Sequence, residues 1–463
     1  MSSPKIIKRL VACFGTIQLV TVLSGCSFVP EPEPQLLLTE EKEISRLTEK
    51  KEISSPKIIK RLVACFGTIQ LITALSVLSY RKKEQQELNV KYEDYLVITP
   101  LWAPQGQTNE FVAFIEKMAR STCSWEKIVY ISYEQIMSIT KTLNSFNVSK
   151  VYSLIREQLG VENPNEIYLS REWRPENQIL MDIYKSAEKI CYGDGIGLYF
   201  SQSAFPSPSS LQNSHVSLKT RYASLKKKLK ALVLQKRALT SQEFDIGYFS
   251  LPYAYGEIPP MKTVVLDKIV YLETFQRFRE TLGSLIDINY VNRLRTNIQD
   301  APTSILLTSN FSEAAGRMSL ENEIAAYREF LETQGVPPNS VLLIKPHPRD
   351  SKLKIRKLQS ALSDLYLDII VLSEEFLFYL PFELLFMEVF LNPDSTKIQS
   401  PRIFTFSSAC LTLELILNAK CTLGFGSDIV NKFFYEEHIT SRIKHETDLQ
   451  STIREIKLLD CAL

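Results

Sequence analysis

The stretch Arg61-Leu62-Val63-Ala64-Cys65-Phe66-Gly67-Thr68-Ile69-Gln70-Leu71-Ile72-Thr73-Ala74-Leu75-Ser76-Val77-Leu78-Ser79-Tyr80 decides how this chain folds. Two readings compete. From Leu62 to Tyr80 there is no charged residue, and a run of that length passes for a membrane span. Against that reading, the run contains Gly67, Thr68, Gln70, Thr73, Ser76 and Ser79. It also divides into a strand over 61–66, a glycine turn and a helix over 70–80. That is the opening βα unit of a Rossmann-like domain, and it is the reading we adopt.

The same stretch occurs twice. Residues 2–19 recur identically as residues 54–71, and no third copy follows. This is a segmental duplication and not a solenoid. Between the copies lie Glu31-Pro32-Glu33-Pro34 and a Glu/Lys-rich stretch from Thr39 to Lys51, read as a solvated linker or charged helix. The first copy imitates a lipoprotein signal: Lys5, Lys8 and Arg9, an apolar run, then Leu23-Ser24-Gly25-Cys26. A non-catalytic surface lipoprotein, or a single-span anchor, therefore stands as an alternative.

A length of 463 residues predicts two or three domains, and 45% hydrophobic residues suffice for sizeable cores. A net charge of +2 argues against a general polyanion binder, so nucleic acid is not an expected partner. The eight cysteines form no CxxC and no His/Cys cluster, so neither a zinc site nor any other metal is expected. Cys191 and Cys421 sit in apolar strand-like runs and read as reduced core residues of a cytoplasmic protein.

Downstream the pattern alternates as an α/β chain should. Strands are predicted over 95–100, 127–131 and 166–169, with helices over about 108–121, up to 159, and 175–186. A second alternating block begins at Ser304-Ile305-Leu306-Leu307-Thr308. It ends with a strand and glycine turn over 421–426 and a helix over about 446–459. The expected division is a duplicated extension over 1–53, a Rossmann-like domain over 54–300 and a second over 301–463.

Four motifs carry candidate chemistry. Lys345-Pro346-His347-Pro348 follows the apolar run Val341-Leu342-Leu343-Ile344, at the carboxyl end of a buried strand, where ligands bind in open α/β sheets. Two prolines stiffen that loop and aim the imidazole. Ile190-Cys191-Tyr192-Gly193-Asp194-Gly195 runs a strand into a turn whose small neighbours leave a carboxylate accessible. Ser407-Ser408 precedes the helix-like Ala409–Leu417 and suits a phosphate. Pro381-Phe382-Glu383 opens another helix. Each has a plainer reading: a turn-capping His, an Asx-turn Asp, an N-cap Ser, and a first-turn Glu that complements the helix dipole.

In that order, Asp194-Gly195, His347-Pro348, Pro381-Phe382-Glu383 and Ser407-Ser408 resemble the motifs of bacterial sialyltransferases of GT-B fold, most closely the alpha-2,8-polysialyltransferase-like family. The resemblance covers roughly residues 57 to 450, and relatives also begin with the βα unit described above. It departs at Gly193, where relatives often carry a second acidic residue. It implies an α/β GT-B fold with two Rossmann-like domains facing a central cleft, and inverting transfer of sialic acid from CMP-sialic acid to a hydroxyl of a glycan or polysaccharide, without metal or other cofactor. It implies Asp194 as base, His347 at the departing phosphate with Ser407 and Ser408, Lys345 near the cytosine or phosphate, Glu383 on the ribose hydroxyls, and Asn310 in the donor site. A GT-B enzyme using another nucleotide sugar is the nearer alternative.

Residues 195–242 contain no Asp or Glu. Within them Lys226, Lys227, Lys228 and Lys230 interleave with Leu225, Leu229 and Leu232 at helical spacing. A basic amphipathic insertion over about 205–242 is expected to contact an anionic acceptor or to hold the protein peripherally on the inner membrane. A solvated helix packing its leucines on the protein is the alternative.

Overall fold

The computed structural model describes residues 56–85, 89–100, 103, 106–143, 146–170, 174–193, 243–250, 261–391 and 398–460. The first copy of the duplication, Asp194 and the basic stretch at 226–230 lie outside the described residues.

The deciding stretch folds as a strand and a helix. β1 is Lys57–Cys65 and the helix is Thr68–Glu84, each slightly longer than its pattern suggests. β1 lies between β2 (Val90–Ile98) and β4 (Glu166–Leu169), parallel to both. Leu62, Val63, Ala64 and Cys65 are all buried. A strand covered on both faces reads as a continuous apolar run instead of an alternating one. The helix is apolar around most of its girth because it too is covered on opposite sides: Ser76 Oγ meets Thr274 Oγ1 of helix Lys268–Glu280 at 2.9 Å. Its polar groups are satisfied within the helix, with Thr73 and Ser76 donating to the carbonyls of Ile69 and Ile72. Among the described residues no helix is long and apolar enough to cross a membrane.

Among the described residues the first sheet has seven parallel strands in the order β3-β2-β1-β4-β5-β6-β7. The others are β3 (Lys127–Tyr130), β5 (Glu188–Cys191), β6 (Ile246–Phe249) and β7 (Lys262–Val265). Arg61, inside β1, forms a two-pronged pair with Asp94 of β2 at 2.6 and 2.8 Å, which makes its burial tolerable.

The second sheet has, among the described residues, five parallel strands in the order β10-β9-β8-β11-β12. They are β8 (Thr303–Leu307), β9 (Val341–Lys345), β10 (Asp368–Val371), β11 (Arg402–Thr405) and β12 (Cys421–Leu423). One of its faces is filled by aromatic rings, among them Phe311, Tyr327, Phe330, Phe406 and Phe425, with Phe406 and Phe425 only 4.2 Å apart. The molecule is thus α/β with two Rossmann-like sheets, the GT-B plan.

Several boundaries differ from the sequence expectation: β2 begins five residues early, and the helix expected over 175–186 ends at Ile183. The last helix spans Glu436–Asp460, beginning ten residues early. Its first turns are charged and show little apolar period, yet Glu436 and Glu437 complement the dipole there. Its Leu449, Ile453 and Ile456 join the same buried cluster as Leu62 and Ile167 of the first sheet. The helix expected after Ser408 is a three-residue α turn, Ala409–Leu411, running into a π turn, Thr412–Ile416.

Candidate functional site

A cleft of roughly 520 Å³ opens where carboxyl ends of strands from both sheets meet. In the second sheet these are the ends of β8, β9 and β11. β8 is the strand where the order reverses, with β9 on one side and β11 on the other, which is where ligands sit in such sheets. The opposite wall is Phe66, Gly67, Thr68, Ile69 and Gln70, the turn between β1 and its helix.

Five residues singled out from sequence line this one cleft: Lys345, His347, Glu383, Ser407 and Ser408. They come from two separate strand ends, those of β9 and β11, and a helix, and only folding brings them together. Asn310 is not among the lining residues. It is 5% exposed, and its Nδ2 donates to the carbonyl of Arg349 at 2.9 Å and to Asp350 Oδ1 at 2.8 Å. Its place is behind the His347 loop, holding it.

The His347 loop is a closed turn. Asp350 N–H donates to the His347 carbonyl at 2.8 Å. Arg349 N–H donates to His347 Nδ1 at 3.1 Å. A ring nitrogen that accepts cannot carry the proton, so the neutral imidazole has its hydrogen on Nε2. Burial first, and then the charges of Arg349, Lys354 and Lys345, push the imidazole down to about 4 despite the opposing pull of Asp350. At neutral pH His347 is therefore an uncharged hydrogen-bond donor.

Lys345 ends β9 and is 8% exposed. Its Nζ lies 5.3 Å from the centre of the Phe378 ring. Among the described residues no carboxylate is within ion-pair distance of it. Burial lowers its pKa to about 8, with Asp350 and Glu383 pulling the other way. Glu383 sits in the first turn of helix Phe382–Phe390, behind Pro381, and is 7% exposed. Burial raises its pKa, while its own backbone N–H, the Thr412 hydroxyl and Lys345 oppose that shift. Ser407 Oγ accepts weakly from Ala409 N–H at 3.4 Å, and Ser408 makes no side-chain cap bond.

One wall thus offers a cation, a neutral N–H donor, two hydroxyls and a carboxylate acceptor. That set suits an anion joined to a hydroxylated group. Among the described residues no cluster of three or more His, Cys, Asp or Glu is placed to hold a metal ion.

Asp194 lies outside the described residues. The strand leading to it, β5, ends at Cys191, and Gly193 has φ 77, a backbone region that favours glycine. The structure adds lining residues that the sequence reading passed over: Thr68, Gln70, Thr308, Phe378, Tyr379 and Thr412. Thr68 and Gln70 were visible as polar breaks in an apolar run. Nothing local marks the others.

The model of the alpha-2,8-polysialyltransferase family matches residues 9–385, a span that includes His347 and Glu383 and stops before Ser407. No curated protein matches the chain. Among solved structures, a UDP-GlcNAc 2-epimerase from Neisseria meningitidis bound to UDP-GlcNAc is similar at 12% identity and TM-score 0.43, covering 81% of this chain and 85% of that one. An alpha/beta-galactoside alpha-2,3-sialyltransferase from Photobacterium phosphoreum is similar at 12% identity and TM-score 0.35, covering 80% of this chain and 99% of that one.

Proposed function

We propose a specific reaction for this chain, which belongs to the alpha-2,8-polysialyltransferase family and is a glycosyltransferase: transfer of sialic acid from CMP-sialic acid to a glycan or polysaccharide hydroxyl, with inversion. The observation that carries this reading is the convergence of Lys345, His347, Glu383, Ser407 and Ser408 on one cleft wall.

The anomeric carbon of the donor already bears a carboxylate, and CMP is a good leaving group. The reaction needs a base for the acceptor hydroxyl and neutralisation of the departing phosphate. Lys345 supplies charge to that phosphate. His347 Nε2–H and the hydroxyls of Ser407 and Ser408 supply hydrogen bonds. Glu383 accepts from the ribose hydroxyls. Asp194 takes the proton of the acceptor, which attacks from the face opposite CMP and inverts the centre. Asn310 supports the donor site from behind. None of these roles calls on a metal.

The test is direct. CMP should raise the melting temperature of the protein, while UDP and GDP should not. Transfer from CMP-sialic acid should fall by about a hundredfold in Asp194→Asn with donor affinity little changed, because a lost base acts on the chemical step. Stabilisation by UDP or GDP in place of CMP would point to another nucleotide sugar. Full activity of Asp194→Asn would remove it as the base.

Lys226, Lys227, Lys228 and Lys230 are assigned to an anionic acceptor chain or the inner-membrane surface. The motivation is a stretch of cations without acids in a chain of net charge +2. Each lysine contributes about 1 kcal/mol near a charged bilayer. Replacing all four with Gln should weaken binding to anionic vesicles and spare transfer to a short soluble acceptor. Unchanged binding of vesicles and of long acceptors at every salt concentration would refute the assignment.

A further inference from the structure

Beneath the His347 loop lies a buried charged network that the reaction above does not use. Lys354 and Glu323 are both fully buried, and Asp350 is nearly so by its side chain. Lys354 Nζ meets Glu323 Oε1 at 2.5 Å and Asp350 Oδ1 at 2.8 Å, and donates to the Ser309 carbonyl at 2.7 Å. Asp350 Oδ1 also accepts from Asn310 Nδ2 at 2.8 Å. Its other oxygen, Oδ2, accepts from Thr308 Oγ1 at 2.7 Å and from the backbone N–H of His347 at 3.0 Å. Glu323 in turn accepts from the N–H groups of Phe311 and Ser312 at 3.2 and 2.9 Å.

Isolated charges at this depth are costly, and breaking one partner of such a set leaves the rest uncompensated. A core of the same volume built from apolar residues could hold the sheet equally well. What the network does that apolar packing cannot is fix one backbone N–H in space, that of the residue whose ring lines the cleft. Three tethers meet there: Asp350 Oδ2, Thr308 Oγ1 on the same N–H at 2.8 Å, and the Asp350 N–H to His347 carbonyl bond that closes the turn.

We propose that Asp350 is a positioning residue for His347, holding the loop so that Arg349 N–H stays on Nδ1 and Nε2–H points to the leaving group, with Lys354 as its buried counter-charge and Glu323 as the second carboxylate that shares this ammonium. This rests on the reading of His347 given above, but its structural half stands without it.

The experiment uses the full chain. In Asp350→Asn one acceptor oxygen is replaced by an NH2 group. It must then face either Lys354 and Asn310 or the His347 N–H and the Thr308 hydroxyl, and on either side at least one donor loses its acceptor. Lys354 keeps Glu323 as its partner in this variant, and Asp350→Ala provides a second variant, with the same pair intact, if the first does not fold. Two quantities are read. The first is turnover against donor KM in transfer from CMP-sialic acid. The second is the nitrogen NMR signature of the His347 ring in the resting protein. The chain has only four histidines, so His347→Gln identifies the signal.

In a folded variant turnover should fall about tenfold to a hundredfold, with donor KM changed less, as expected when a catalytic group is misplaced by an ångström or so. The ring should change from a single Nε2–H tautomer to a mixture. An unchanged ring signature in a folded Asp350 variant overturns the proposal, whatever the activity does. Loss of the fold in both variants overturns it as well, since Asp350 would then be a general core residue. A shifted tautomer together with no transfer from CMP-sialic acid even in the parent protein would support the positioning role and refute the assigned reaction.

Discussion

Lys345 keeps its charge in a place that disfavours charge. Burial lowers its pKa from the ordinary 10.5 to about 8. The sign for folding follows from linkage. Between about pH 8 and 10.5 the unfolded chain binds the proton that the folded one has lost, so this residue's contribution to stability rises with pH across that window. Ligand binding runs the other way. A phosphate in the cleft favours the ammonium, so affinity for CMP should fall by about tenfold between roughly pH 7 and 9. Lys345→Met should bind CMP weakly and with a flat profile over that range. A slope equal in both proteins would exclude Lys345 from the anion site. His347 should add no step near neutral pH, because its imidazole is held down to about 4. The motif at 345–348 was legible because four adjacent residues carry it. Asp350 stood two residues further on and was passed over, because its partners Thr308, Asn310 and Lys354 are spread along the chain.

At the scale of elements, β1 and helix Thr68–Glu84 are the pieces on which the first half rests. β1 is hydrogen-bonded on both edges, to β2 and to β4. Removing it would leave two rows of buried backbone groups without partners. A chain truncated to begin at Ser54 should therefore fold and keep activity, since the second copy of the duplication supplies β1 and its helix. A chain beginning at Val90 should not fold. Circular dichroism and transfer activity check both. Full activity of the shorter chain would mean that 62–80 is not part of the core. The same pattern that suggested a membrane span, an apolar helix with few polar breaks, came from a helix covered on opposite sides by protein. Composition cannot distinguish the two coverings, since lipid and packed side chains make the same demand on a helix surface. The π turn at Thr412–Ile416 was not legible at all, because it shares its residue preferences with the α-helix and differs only in which carbonyl each N–H finds.

Across the whole molecule, the two sheets are joined by helices that come between them in sequence. Helix Lys268–Glu280 packs on the helix after β1 through Ser76 and Thr274. Its Arg279, together with Arg295 of helix Ile288–Ile298, clamps the carboxylate of Glu388, with Arg279 Nε at 2.8 Å. Glu388 lies on helix Phe382–Phe390, the one that presents Glu383 to the cleft. A second join sits at the cleft edge, where Thr68 Oγ1 donates to the Tyr379 carbonyl at 2.9 Å and the Tyr379 ring stacks on Phe111 at 5.2 Å. Glu388→Ala strands two largely buried guanidinium groups, so stability should drop by about 3 kcal/mol. Donor KM should rise as well, because the helix carrying Glu383 loses its anchor. Chemical denaturation and a donor titration measure the two effects. Parent-like stability would show that the clamp contributes nothing.

The alternation of strands and helices, the βα unit at 61–80 and the short motifs at the strand ends are readable along the chain. These are local matters: side-chain period, turn chemistry and a few adjacent residues carry them. That Lys345, His347, Glu383, Ser407 and Ser408 share one cleft, that Asn310 stands behind it, and that Asp350 bonds the His347 N–H above a buried lysine appear only in the folded molecule. Strand order in a parallel sheet follows from which crossovers pack together, so residues far apart in the chain become neighbours only when the whole sheet has assembled.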